Sequence, residues 1–261
     1  DDIDLKCFKS GIKKNTKVIY IETPSNPLLK IIDIEKIAQF AKSRDIITII
    51  DNTFATPIIQ KPILFGVDVV LHSATKYFGG HSDISAGAVA ASQAHIDKIW
   101  NLAKNLGGNL SDYSVWLLER SMKTLSIRVK AQQKNAKKLA KYLSESRYVK
   151  KVYYPGLKNH PNHNLAKKQM KGYGAMISFE FIDKIDPSLF LTSLNLIKPS
   201  MSLAGVESTM LSPAETSHYL LTEIERLSQG ITNELIRFSV GIENKKDIIM
   251  DIEHAIKLAI K

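Results

Sequence analysis

Lys76 is the residue on which chemistry in this sequence would turn. It closes the run His72-Ser73-Ala74-Thr75-Lys76, directly after the apolar stretch Val67–Leu71. Two comparable stretches end in the same way. Val18–Ile21 runs into Glu22-Thr23-Pro24-Ser25-Asn26-Pro27, and Ile46–Ile50 runs into Asp51-Asn52-Thr53. A lysine amine with a lowered pKa can form a Schiff base with an aldehyde. A carboxylate such as Asp51 can keep a ring nitrogen protonated, and the hydroxyls of Ser73 and Thr75 can donate to a phosphate. Taken singly, Asp51 reads as a turn or cap residue and Lys76 as a surface lysine. Together, at the carboxyl ends of successive strands, they describe a pocket for an anionic cofactor, because ligands of open α/β sheets gather there.

The elements that must position these residues follow from local patterning. Val18–Ile21 is short and β-branched, and Pro24 and Pro27 forbid its continuation. Asp33 reads as a helix N-cap, with Ile34, Ile37, Ala38 and Ala41 at helical spacing behind it. Ile46–Ile50 and Val67–Leu71 predict two further strands and Ala86–Ala91 a fourth, an alternation that implies a layered α/β sheet. From Asp112 to about Ser146 the pattern is helical, with a break near Lys123-Thr124. Beyond it, Lys151–Tyr154, Ala175–Phe181 and Ile236–Val240 read as strands. Asp186-Pro187 opens a helix with proline in its first turn, and Lys245–Lys261 reads as a closing amphipathic helix. These changes place a first domain over 1–126 and a smaller α/β domain over 127–261, joined by the long helix.

Bulk properties narrow the partners. Lys and Arg number 36 against 26 Asp and Glu, a formal charge of +10 in 261 residues. The basic residues Lys130, Lys134, Lys137, Lys138 and Lys141 are spaced along a helix, without a zinc-finger or RNA-binding aromatic motif, and read as a solvated face rather than a nucleic-acid surface. No apolar run approaches the roughly 18 residues of a membrane span. The single cysteine, Cys7, excludes an internal disulfide and fits the reducing cytoplasm. The acidic start, Asp1-Asp2-Ile3-Asp4, lacks the basic character of a secretory signal. His160 and His163 are three apart with a proline between them and no acidic or Cys ligands near, which disfavours a metal site. His72 and His81 are expected to pack or hydrogen-bond locally, and Trp100 and Trp116 to pack between helices.

The motif Val69–Asp83, with Lys76 at its centre, resembles the cofactor-lysine signature of the Cys/Met-metabolism enzymes that use pyridoxal phosphate (PLP), a family that includes cystathionine γ-lyase, cystathionine β-lyase, cystathionine γ-synthase and methionine γ-lyase. Glu22–Pro27, Ile50–Phe54, Ser202–Ser208 and Ile236–Glu243 resemble four further family motifs, in order, over nearly the whole chain. The resemblance implies an α/β fold of the PLP-dependent transferase type (fold type I, like aspartate aminotransferase), here a partial large domain followed by the smaller one. It implies that Lys76 binds the cofactor covalently and then shuttles protons, and that Asp51 pairs with the pyridine nitrogen. It also implies that Asn26 bonds the ring hydroxyl and lies against substrate, and that Ser73, Thr75 and Thr53 complete the cofactor site. Arg237 would clamp the substrate carboxylate with its planar fork, and Ser202 would line the substrate pocket. The implied activity is β- or γ-elimination on cystathionine-like amino acids. The rivals are γ-replacement on an acylated homoserine, by a cystathionine γ-synthase or a sulfhydrylase, and a non-catalytic remnant or binding module. The implied assembly is a homotetramer, a dimer of dimers that share active sites.

The family loop usually reads Ser-Leu-Gly-Gly, where this chain has Ser202-Leu203-Ala204-Gly205. The added methyl matters only if that position needs a positive φ. Met201 stands where several γ-enzymes carry glutamate, which leaves substrate choice open. Full-length relatives also carry an N-terminal segment with further cofactor contacts that finds no counterpart here. The chain is therefore expected to be an N-terminally truncated piece with little or no activity alone.

Overall fold

The computed structural model describes residues 5–261; Asp1–Asp4, read above for their acidic character, lie outside the described residues. Two sheets organise the chain. The first has the order β1-β2-β3-β4, formed by Val18–Glu22, Ile47–Asp51, Val69–Ser73 and Gly87–Ala91. Its first three strands are parallel and β4 is antiparallel to β3. The second has the order β5-β6-β9-β8-β7, formed by Val149–Tyr153, Met176–Phe181, Leu235–Ser239, Thr209–Leu211 and Lys198–Pro199. Its pairs are antiparallel except β7 with β8. The helices are α1 (Leu5–Gly11), α2 (Ile34–Lys42), α3 (Thr56–Ile59), α4 (Gln93–Leu106), α5 (Asp112–Met122), α6 (Leu125–Ser144), α7 (His163–Gln169), α8 (Pro187–Thr192), α9 (Glu223–Ser228) and α10 (Lys245–Leu258).

The first sheet is covered on one face. Ile19 and Ile21 of β1, Ile50 of β2 and Val70 of β3 pack against Ile34, Ile37, Ala38 and Ala41 of α2. The Asp33 side chain accepts from Lys36 N and starts that helix, as its sequence predicts. On the other face Val18, Tyr20, Ile47 and Val89 are exposed. The second sheet differs: every residue of β6 and β9 is buried. Leu139 and Leu143 of α6 and Ile248 and Ile252 of α10 share one core with Ile177, Phe179 and Phe238 of that sheet. Phe54, Tyr77 and Phe78 of the first layer join the same core. The lysine motif therefore rests on packing supplied by the C-terminal half.

Several boundaries moved for identifiable reasons. The third strand begins at Val69 rather than Val67 because Asp68 turns its carboxylate to Thr48, accepting from its N–H and its hydroxyl, both at 2.8 Å. The closing helix stops at Leu258, where Ile260 bridges to Ile185 and Lys261 N donates to Lys184 O. The break between α5 and α6 falls at Lys123-Thr124, and the five lysines of α6 face solvent. The expectation for the tryptophans is corrected: Trp100 on α4 and Trp116 on α5 are 57% and 55% exposed, because α4 has no buried residue and α5 buries only Ser121. Among the described residues no helix is long and apolar enough to cross a membrane.

Candidate active site

Parallel register brings the three motif-bearing strand ends side by side. Glu22 pairs with Asp51, and Asp51 with Leu71, so the chain leaving each strand enters the same space. The loops interlock through short side chains. Asp51 Oδ1 accepts from Thr53 N at 2.8 Å, and Thr53 Oγ1 accepts from Ser73 N at 2.8 Å. Thr53 thus couples the carboxylate strand to the lysine strand. Beneath them Asn52 and Gln60 exchange bonds, and Gln60 also reaches Thr23 O.

Lys76 follows β3 in a tight turn, with Lys76 N donating to Ser73 O, Gly79 N to Ala74 O and Gly80 N to Lys76 O. Its side chain is half-buried. Burial lowers its pKa below the ordinary lysine value, and the charge of Arg237 adds to the effect. The turn is held from below by Arg128 of α6, a residue that sequence reading missed. Its guanidinium donates to Tyr77 O (2.7 Å), Phe78 O (3.2 Å), Ser121 O (2.9 Å) and Thr124 Oγ1 (3.0 Å). Nothing in the sequence separates Arg128 from the other basic residues of that helix. Gly80, at φ +72°, makes room for it, since a Cβ there would lie 2.0 Å from Arg128 Nη1.

His72 lies on the strand between Asp51 and the lysine turn. Its ring stacks on Phe78 with centroids 4.6 Å apart, the local packing that its sequence position implies. Burial pushes its pKa down to about 4 while Asp51 pulls the other way, so the ring is neutral near pH 7. His81 likewise bonds locally, to Gly79 O. The Thr75 hydroxyl is engaged with Ala86, accepting from its N–H at 2.9 Å and donating to its O at 3.3 Å. Ser73 is half-buried beside it. Asn26 is exposed at the end of β1, with its N–H donated to Glu22 Oε1.

Arg237 enters from the other sheet. It lies on β9, the central strand, and is 4% exposed. Nη2 donates to Met201 O at 2.9 Å, and burial lowers its pKa to about 10. Among the described residues no carboxylate forms an ion pair with it. A buried guanidinium without a counter-ion is costly and suited to an anion brought from outside. The loop under Arg237 contains Ser202, whose Oγ is 3.3 Å from Ser82 Oγ, which in turn donates to Glu207. Ala204 on this loop has φ +68°, donates its N–H to Ser239 Oγ at 2.7 Å and is fully buried. The position does take the left-handed conformation that glycine favours, and this chain holds a methyl there. An amine of lowered pKa, a carboxylate at a neighbouring strand end, small hydroxyls and an unpaired buried guanidinium suit an aldehyde-bearing phosphorylated cofactor and an anionic substrate.

The pairs of histidines and carboxylates elsewhere form no metal cluster of three or more among the described residues. His163 bonds Pro155 O, and His160 Nδ1 accepts from Asn162 N.

Residues 1–257 match the model of the family described as Cys/Met metabolism PLP-dependent enzyme. Cystathionine beta-lyase from Lactococcus lactis subsp. cremoris is 46% identical over 255 residues, covering 97% of this chain and 67% of that protein. The crystal structure of cystathionine gamma-lyase from Lactobacillus plantarum, complexed with L-serine, superposes with a TM-score of 0.96 at 44% identity, over 98% of this chain and 68% of that one. Cystathionine gamma synthase from Xanthomonas oryzae pv. oryzae, in complex with aminoacrylate and cysteine, gives 0.88 at 41% identity, over 92% and 63%. The chain thus spans about two-thirds of the length of such relatives. Its fold is that of the PLP-dependent cystathionine lyases and synthases, and the chain belongs to the Cys/Met metabolism family of PLP-dependent enzymes.

Proposed function

We propose that the protein containing this chain is a carbon–sulfur lyase that acts on cystathionine-like amino acids by β- or γ-elimination. The observation that carries the reading is the facing of two cations of different kinds: a lysine amine of lowered pKa on the first sheet, and a buried guanidinium without a carboxylate partner on the second. Arg237 would take the substrate α-carboxylate in its fork and so fix the amino acid over the pocket. Lys76 would hold the cofactor covalently and, once displaced, move a proton from Cα to the neighbouring carbon. Asp51 would keep the ring nitrogen protonated. Thr53, which accepts from Ser73 N, would keep the phosphate-facing hydroxyls of Ser73 and Thr75 in register with it. Asn26 would bond the ring hydroxyl, and Ser202 would line the substrate side chain. PLP, when bound, supplies the electron sink that makes loss of the sulfur substituent feasible.

The relatives include both lyases and a γ-synthase, so γ-replacement on an activated homoserine is the second reading. The homotetramer built as a dimer of dimers, the cytoplasmic location and the domain boundary at 126/127 belong to the same proposal. Exposed Trp100, Leu106 and Trp116 on α4 and α5 support assembly. Borohydride reduction of the PLP-loaded protein should label Lys76, and a label on another lysine would overturn the assignment. Pyruvate or 2-oxobutyrate released from cystathionine identifies a lyase. Cystathionine made from cysteine and an acylated homoserine identifies the synthase instead.

A further inference from the structure

Six residues past Lys76, the lysine motif touches the loop that carries Ser202. Ser82 Oγ donates to Glu207 Oε1 at 2.8 Å and lies 3.3 Å from Ser202 Oγ. Ser82 holds φ +58°, a left-handed conformation uncommon for a residue with a Cβ. The two backbones meet beside it, where Val206 N donates to Gly80 O at 3.0 Å. Gly205 lets Glu207 fold back over the loop, since a Cβ there would stand 2.7 Å from Oε1.

The direction of these bonds follows from counting protons. A serine hydroxyl has one proton to give, and an ionised carboxylate only accepts. The Ser82 proton goes to Glu207, so the Ser82 oxygen meets Ser202 as an acceptor. The Ser202 proton then points to Ser82, and what Ser202 Oγ has left for the pocket is its lone pairs. The other polar groups of Ser202 are engaged. Its N–H donates to Ser200 Oγ at 3.2 Å, and its carbonyl accepts from Thr209 Oγ1 at 2.9 Å. Behind it, Gln132 donates to Gly205 O and Ala204 N donates to Ser239 Oγ, which holds the peptide chain of the loop in place.

We propose that Ser82 and Glu207 are positioning residues for Ser202, and that they make its hydroxyl an acceptor selective for an ammonium on the substrate side chain over a carboxylate. The proposal rests on the reading of Ser202 as a residue that lines the substrate pocket. A free serine hydroxyl turns to donate or accept as its neighbour requires. With its proton committed to Ser82, Ser202 offers an anion only lone pairs, with the Glu207 carboxylate one hydroxyl further back. A carboxylate placed there would stay unpaired, which is the costly outcome for a polar group taken out of water. Arg237 remains the donor for the α-carboxylate, so the two ends of an amino acid are read by groups of opposite polarity.

Calorimetric titration of the PLP-loaded protein with L-lysine and, separately, L-2-aminoadipate tests this, because the two differ only at the end of the side chain. Lysine is expected to bind about tenfold more tightly, the worth of one hydrogen bond to a charged group. Ser82→Ala frees the Ser202 proton and Glu207→Gln removes the charge behind it; each should bring the ratio of affinities close to one. Ser82→Asn should keep most of the preference, since asparagine tolerates a positive φ and its amide both donates to Glu207 and accepts from Ser202. A purely structural role would weaken both amino acids alike, and an unchanged ratio in Ser82→Ala and Glu207→Gln would overturn the relay while leaving the substrate pocket standing. Equal affinity of the unaltered protein for the two would overturn it as well. Saturation with neither amino acid would remove the pocket reading and the relay with it.

Discussion

The two sheets of this protein treat burial in opposite ways. Strands β6 and β9 are buried along their whole length, whereas β1 alternates, with Ile19 and Ile21 covered and Val18 and Tyr20 open. Parallel strands are ordinarily covered on both faces, so the first sheet presents an apolar surface where the second presents none. Lys76 and Asp51, the proposed cofactor residues, sit on the half-covered sheet, and Arg237, proposed to grip substrate, sits on the sandwiched one. The stiff sheet supplies the reference against which the open sheet is held.

Truncation in the two sheets should break this symmetry most strongly. Phe238→Ala, in the fully buried strand, is expected to cost about 3–5 kcal/mol in urea unfolding, and Val18→Ala on the open face within roughly 0.5 kcal/mol. Equal losses would mean that the exposed face is covered in solution. Acid should act next. His72 and His160 are each held near pKa 4, below the usual 6.5, by burial. Their neutral forms therefore contribute fully above pH 6.5, and the contribution is lost as pH falls from there to about 4. Each is worth up to about 3 kcal/mol. A denaturation midpoint that stays flat over that window would contradict the assignment; His160→Gln should flatten one share of it.

Smaller effects are expected at the seam, where Val206 N donates to Gly80 O and Gln132 of α6 donates to Gly205 O. Gly80→Ala meets both a positive φ and the Arg128 guanidinium, and should cost about 2 kcal/mol or more. Gly107→Ala has φ +74° and open space around it, and should cost about 1 kcal/mol. Thermal melts of the pair separate backbone strain from collision. Ala204→Gly should work in the other direction, raising stability by about 0.5–1 kcal/mol, because it relieves a left-handed alanine. A fall in melting temperature would show that its buried methyl outweighs the strain.

The elements that were legible from sequence were those with one strong local cause. Prolines after Ile21 ended β1, Asp33 capped α2, and β-branched runs marked β2 and β3. Helix α4 escaped because all its residues are at least partly exposed, so no apolar stripe records a core-facing side, and β7 and β8 were too short to carry a period. Lys76, Asp51, Ser73 and Thr75 could be named from residue type and position at strand ends, and Asn26, Thr53, Ser202 and Arg237 from the family resemblance. The unpaired state of Arg237, the turn clamp at Arg128 and the conformation of Ala204 could not, since each depends on residues 35 or more positions away meeting in space.

Arg128 and Arg237 together give the interior two permanent positive charges, and neither forms an ion pair among the described residues. Such a centre is an electrical debt carried by the folded chain. Arg128 is offset by its four acceptors, but an anion brought to Arg237 would complete a charge balance that the polypeptide leaves open, so capture and consolidation of the fold would become one event.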